Sequence, residues 1–105
     1  MTTSQREKLI NNILSECKKI RLSKGNDYCL GSQDANRNFK SVGEALNLSP
    51  ETACMVYYLK HQDAILQYIR TGELKGEGIE EKIKDNINYL LILYSLIYER
   101  EKKEN

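Results

Sequence analysis

The sequence predicts an all-α protein, a four-helix bundle-like single domain, and three observations carry that prediction. Apolar residues recur at helical spacing in four stretches. No stretch keeps the period-two alternation of a half-buried strand. The punctuation, one proline and six glycines, falls mostly between the periodic segments. At 105 residues the chain has length for one hydrophobic core and not for two.

The first helix is expected over about residues 4–23. Ser4 with Glu7 fits a capping box, and Leu9, Ile10, Ile13, Leu14, Cys17 and Ile20 follow as an apolar stripe that stops at Gly25. A polar loop, residues 25–33, leads to a short helix over about 34–46, capped by Ser32 or Asp34, with Phe39, Val42, Ala45 and Leu46 inward. Ser49-Pro50-Glu51 is the clearest boundary: a capping serine, proline at the first helical position, then an acid suited to the helix dipole. That third helix runs over 50–70, with Val56, Leu59, Ile65 and Ile69 on its core side. After a glycine-rich loop the fourth covers 79–99, striped by Ile79, Ile83, Ile87, Leu90 or Leu91, Tyr94 and Ile97, and leaves a frayed tail at 100–105. Its second half, Tyr89 to Tyr98, is apolar on nearly every side, more than three companions can cover. A homodimer or higher homo-oligomer through Tyr89–Tyr98 is therefore expected.

Composition narrows the partners. Sixteen basic and 15 acidic residues leave a net charge of +1, which gives no electrostatic reason for nucleic acid or an anionic membrane. The longest apolar run is about half a bilayer span, and the N-terminus lacks the apolar core of a signal peptide, so a cytoplasmic protein is expected. Cys17, Cys29 and Cys54 show no CxxC or CxH spacing, so reduced thiols are expected rather than zinc ligands.

Polar residues gather on the last two long helices. Lys60 and Asp63 share one face of the third, while Tyr57 and His61 share another. On the fourth, Glu81 and Asp85 lie one turn apart, and Asp85 and Asn88 abut the apolar stripe, so burying them demands a partner. Acids one turn apart can hold magnesium through oxygen ligands. Asp27, Tyr28, Asn36, Asn38, Phe39 and Lys40 form a segment whose amides and rings suit recognition of a base or sugar. Phosphate loops, nucleophile elbows and HExxH are absent.

Asp27-Tyr28, the NFK of Asn38–Lys40, LKHQDAI at 59–65 and EGIEEKIKDNINYLLILY at 77–94 occur in an order that resembles the nucleotide modification associated domain 1 family of phages and bacteria. The resemblance covers roughly residues 20–98. It implies an all-α domain of nucleotide metabolism or base modification. The fourth helix is more distantly similar to MazG-type nucleotide pyrophosphohydrolases, helical oligomers whose acidic helix pairs hold magnesium. Their ExxD is not reproduced, because Lys82 stands three residues before Asp85, and the first helix offers only Glu7 and Glu16 for an ExxE pair.

The first functional reading is a nucleotide-binding protein, one that sequesters a nucleotide or serves a modification pathway. Lys60 and His61 would contact phosphate, with Asp63, Asp85 and Asn88 orienting them or binding sugar, and Asp27, Tyr28, Asn38 and Lys40 closing over the base. Such a binder needs no cofactor. The alternative is a magnesium-dependent nucleoside triphosphate pyrophosphohydrolase with the metal on Glu80, Glu81 and Asp85. A non-catalytic protein-interaction module is the third reading.

Overall fold

The computed structural model describes the backbone of residues 1–28 and 32–104, and the side chains of residues 1–25 and 32–103. Four helices make up the fold: α1 (Thr3–Tyr28), α2 (Arg37–Leu46), α3 (Pro50–Thr71) and α4 (Ile79–Glu104). No strand occurs among the described residues. α4 packs along α3, α1 rests on α4, and α2 packs on α3. None of these helices is long and apolar enough to cross a membrane.

Local chemistry explains where the helices begin and end. α1 is capped by Thr2 and Gln5 rather than Ser4 and Glu7. The Gln5 amide donates to Thr2 Oγ1 at 3.1 Å, and the Thr2 amide donates to Gln5 Oε1 at 2.8 Å, a reciprocal capping box two residues earlier than expected. Nor does Gly25 end the helix, which continues to Tyr28. Glycine inside a helix costs about 1 kcal/mol and does not forbid it.

α2 starts at Arg37 because Ser32 and Asp34 build the turn before it. Asp34 donates its amide to Ser32 Oγ, and Asp34 Oδ1 accepts from the Asn36 amide. It closes in a Schellman motif around Asn47 (φ 57°), with the Leu48 amide on the Gly43 carbonyl at 2.7 Å and the Asn47 amide on that of Glu44. α3 follows the expected boundary: Ser49 Oγ accepts from the Thr52 amide, Pro50 opens the helix, and Gly72 (φ 75°) ends it. α4 extends through the tail to Glu104, where Glu and Lys are good helix formers.

The core is small. Phe39, Cys54 and Leu96 form its centre, with Tyr57, Tyr89, Ile92 and Leu93 packed around them. Phe39 meets Tyr57 and Tyr89 edge-on at ring separations of 5.9 and 6.4 Å, and the two tyrosines stack at 5.9 Å, contacts worth about 0.5–1.5 kcal/mol per pair beyond area burial.

α3 is rotated relative to its apolar pattern. Ala53, Cys54, Tyr57 and His61 turn inward, while Val56, Leu59 and Ile69 face outward. The small Ala53 and Cys54 allow close approach to α4, where Cys54 Sγ donates to the Tyr89 carbonyl at 3.3 Å. The aromatic trio then supplies the volume that the aliphatic residues were expected to provide. Leu9, Ile10 and Leu14 of α1, Ala45 and Leu46 of α2, and Leu90, Leu91, Tyr94 and Ile97 of α4 are likewise exposed.

Gly43 marks the tightest backbone approach. A Cβ built there would lie 2.6 Å from the Leu48 carbonyl oxygen and 3.2 Å from the Ser49 carbonyl carbon. Backbone cannot yield as a side-chain tip can, so Gly43→Ala is expected to lower stability by about 1–3 kcal/mol. Urea denaturation followed by circular dichroism measures this, and an unchanged midpoint would refute the tight approach.

Candidate ligand cavity between the first and fourth helices

A cavity of about 810 Å³ opens between the C-terminal half of α1, the turn before α2, and the face of α4 from Asp85 to Ser95. Its lining mixes charged, amide, aromatic and aliphatic side chains. Arg21 and Lys24 come from α1, Asn36 and Asn38 from the entry to α2, and Phe39, Tyr57 and Tyr89 form an aromatic wall. Asp85 and Asn88 complete the α4 side.

Polar contacts hold α1 against α4 along this cavity. Asn88 is buried; its amide nitrogen donates to the Cys17 carbonyl at 3.0 Å, and its Oδ1 accepts from Arg21 at 2.8 Å. Lys84, also buried, binds the carboxylates of Glu16, Glu81 and Glu80. Lys24 reaches Asp85 Oδ1 at 3.6 Å. Among the described residues no carboxylate lies within ion-pairing distance of Arg21.

Asp85 connects α1 to α3. Its Oδ2 lies 3.2 Å from His61 Nε2, while His61 Nδ1 lies 2.9 Å from the Tyr57 carbonyl. Both ring nitrogens thus face oxygen atoms, and the ring links Asp85 to the α3 backbone. The His61 ring also packs edge-on against Tyr89 at 5.3 Å.

The expected site residues separate into groups. Asp85, Asn88 and Asn38 line the cavity, and His61 adjoins it through Asp85. Lys60 and Asp63 line a different groove, on the outer face of α3. Lys40 bridges Asp34 Oδ2 at 2.6 Å and Glu99 Oε2 at 2.8 Å. With Asn36, which donates to Ser95 and Glu99, it pins the start of α2 to α4. The side chains of Asp27 and Tyr28, and Cys29 entirely, lie outside the described residues.

Glu80 and Glu81 both turn to Lys84, whereas Asp85 turns to His61 and Lys24. Among the described residues no group of three or more His, Cys, Asp or Glu converges on one point. Asn36 and Phe39, from the segment expected to recognise a base or sugar, line the cavity too, whereas nothing in the local spacing marks Arg21 and Lys24 as site residues. Arg21 and Lys24 stand three apart on α1, a signal that gains meaning only once the face opposite is known to be α4. No known family model, curated protein or solved structure matches the chain.

Burial shifts both thiols upward, that of Cys54 to about 11. The nucleophilic thiolate is therefore scarce at neutral pH. Iodoacetamide at pH 7.5 should leave Cys17 and Cys54 of the folded protein unmodified, as read by peptide mass spectrometry. Rapid alkylation of either would contradict their burial.

The ion pairs carry a pH signature. The Lys84 ammonium holds Glu16 below its ordinary value of 4.5, and Lys40 does the same for Glu99 (4.5) and Asp34 (3.8). A carboxyl whose pKa is lower folded than unfolded stabilises the fold above its ordinary value and loses that contribution as pH falls through the folded value. Glu16 lifts Lys84, and Asp34 lifts Lys40; those contributions persist below 10.5 and are lost only as pH rises through the folded values. Melting temperature should therefore hold through the neutral range and drop below roughly pH 4. Lys84→Met should flatten part of the acid limb and increase hydrogen exchange in α1.

Proposed function

We propose that the cavity binds a nucleotide. The observation that carries the reading is Arg21, a half-buried guanidinium with no carboxylate partner among the described residues, placed in one cavity with Phe39, Tyr57 and Tyr89. A guanidinium fork matches phosphate oxygens, and Lys24 adds a second cation beside it. The aromatic wall suits a base or sugar. Asn38 offers donor and acceptor groups that no other described side chain occupies. A cavity of about 810 Å³ is of the size that holds a small-molecule ligand. The resemblance of NFK, LKHQDAI and the α4 segment to a nucleotide-modification family supports the same class of ligand.

Binding is favoured over hydrolysis by the way the acids are engaged. A magnesium-dependent pyrophosphohydrolase would need Glu80, Glu81 and Asp85 to share an ion, and each is neutralised by a cation of the chain. Releasing them would expose Lys84 and His61 without partners, a loss that a bound metal would have to offset.

A thermal-shift screen of canonical, modified and cyclic nucleotides, with and without magnesium, tests the proposal. A ligand at a hundredfold its Kd should stabilise the protein by about 2.7 kcal/mol. Arg21→Ala should weaken binding by about 1.5–3 kcal/mol, the worth of a charge-assisted hydrogen bond, and Tyr57→Leu should weaken it with less effect on salt dependence. The proposal is sunk if no nucleotide shifts the melting temperature, or if Arg21→Ala binds like the parent. Magnesium-dependent release of pyrophosphate that Asp85→Asn abolishes would favour the hydrolase.

A further inference from the structure

The geometry points to a second copy of this chain on the outer face of α3, packed antiparallel about a two-fold axis between Gln62 and Asp63. This inference stands apart from the nucleotide cavity, which lies beyond the inward face of the same helix.

The molecule exposes much that a monomer would bury. Its accessible surface is 7918 Å², against roughly 6,000 Å² for a compact monomer of 12.2 kDa. That surplus of about 1,900 Å² exceeds the roughly 800 Å² that each partner loses in an interface of standard size. Only five apolar residues are buried among those described, beside four buried polar ones, Asn36, Lys84, Asn86 and Asn88. At a net charge of +1, two copies repel each other little.

The α3 face is complementary to itself. Its exposed aliphatics are Val56 (55%), Leu59 (54%), Leu66 (39%) and Ile69 (72%). Val56 pairs with Ile69, and Leu59 with Leu66, about one midpoint, the bond between Gln62 and Asp63. Reversing the helix therefore maps the pattern onto itself, so in an antiparallel pair each of these residues lies level with an aliphatic one of the second copy. Leu59 and Leu66 lie centrally on this arc, and a groove of about 420 Å³ lined by Leu59, Lys60, Gln62, Asp63 and Leu66 runs between them. In the antiparallel pair Leu59 meets Leu66 of the second copy. Lys60 and Asp63 fall on one flank, where the two Asp63 face each other beside the axis and each lies about 3 Å along the helices from the level of Lys60 of the second copy, within reach of two ion pairs. Neither makes an ion pair within the described residues of its own chain. On the other flank the two Gln62 amides face each other. The exposed face of α4, with Leu90, Tyr94, Ile97 and Tyr98, has no such charge self-complementarity.

Sedimentation equilibrium and crosslinking test this. The unmodified protein should be dimeric, and Leu59→Asp with Leu66→Asp should make it monomeric with its helical circular dichroism retained. Lys60→Asp and Asp63→Lys should each weaken the dimer, and the two together should restore it. In a Cys29→Ser background, Gln62→Cys lies on the axis and should form a disulfide-linked dimer under mild oxidation. Val56→Cys, whose two copies would stand about 20 Å apart along the helices, should not. A monomer at all concentrations overturns the proposal. So does a dimer that Tyr94→Lys dissociates and the Leu59/Leu66 pair does not, or equal crosslinking at Gln62→Cys and Val56→Cys.

Discussion

The attachment of α1 to α4 is made by polar contacts, and the cavity exists because of it. Glu16, the Cys17 carbonyl, Arg21 and Lys24 face Lys84, Asn88 and Asp85. Hydrogen bonds and ion pairs are directional and act at fixed separations, so they can set two helices at a distance without filling the space between them. An apolar stripe would close that space, because apolar contact gains from every gap removed. The buried lysine and asparagine of α4 thus do what leucines could not. They anchor α1 while leaving room for a ligand.

The same logic explains why α3 faces as it does. With Ala53 and Cys54 toward α4 the helices approach closely, and Tyr57 and His61 then stand beside Tyr89 and Asp85. Turning α3 to bury Val56, Leu59 and Ile69 would carry Tyr57 and His61 away from that wall. The inward face combines the aromatic surface of the cavity with the His61–Asp85 link, and the aliphatic residues are left outward as a result. That outward aliphatic face is the surface on which the proposed second copy would pack.

How far the sequence was legible follows from which signals are local. Four helices and the Ser49-Pro50 boundary were readable because caps and periodicity act within a few residues. The helix ends at Tyr28 and Glu104 were not, since Gly25 and the charged tail are weak stops that context overrides. Facing was the least legible property. Apolar stripes on α1 and α3 read as core, although Leu9 and Leu59 are exposed. A stripe states that a face seeks cover, not whether the cover comes from the same chain. Asp85 and Asn88 are legible because polar groups beside an apolar stripe need partners, and Asn38 because it stands in a segment dense in amides and rings. Lys60 and Asp63 are close to His61 only along the chain, and at about 100° per residue the helix carries them round to the outer face.

On the nucleotide reading, ligand binding and the seating of α1 are one equilibrium. Arg21 and Lys24 are contacts of the seam and also the cations of the cavity. An anion between them adds partners to side chains that already hold α1, so each state in which α1 is seated gains affinity and each state in which it is detached loses it. The first ten residues of α1 in its N-terminal half, Thr3 to Asn12, are exposed throughout and add little to that seating. The orientation of α1 is thus governed by the few contacts between Glu16 and Lys24. A helix fixed at so few points by charge and amide groups responds to charge placed beside them, which is the property that a nucleotide-binding cavity at this seam requires.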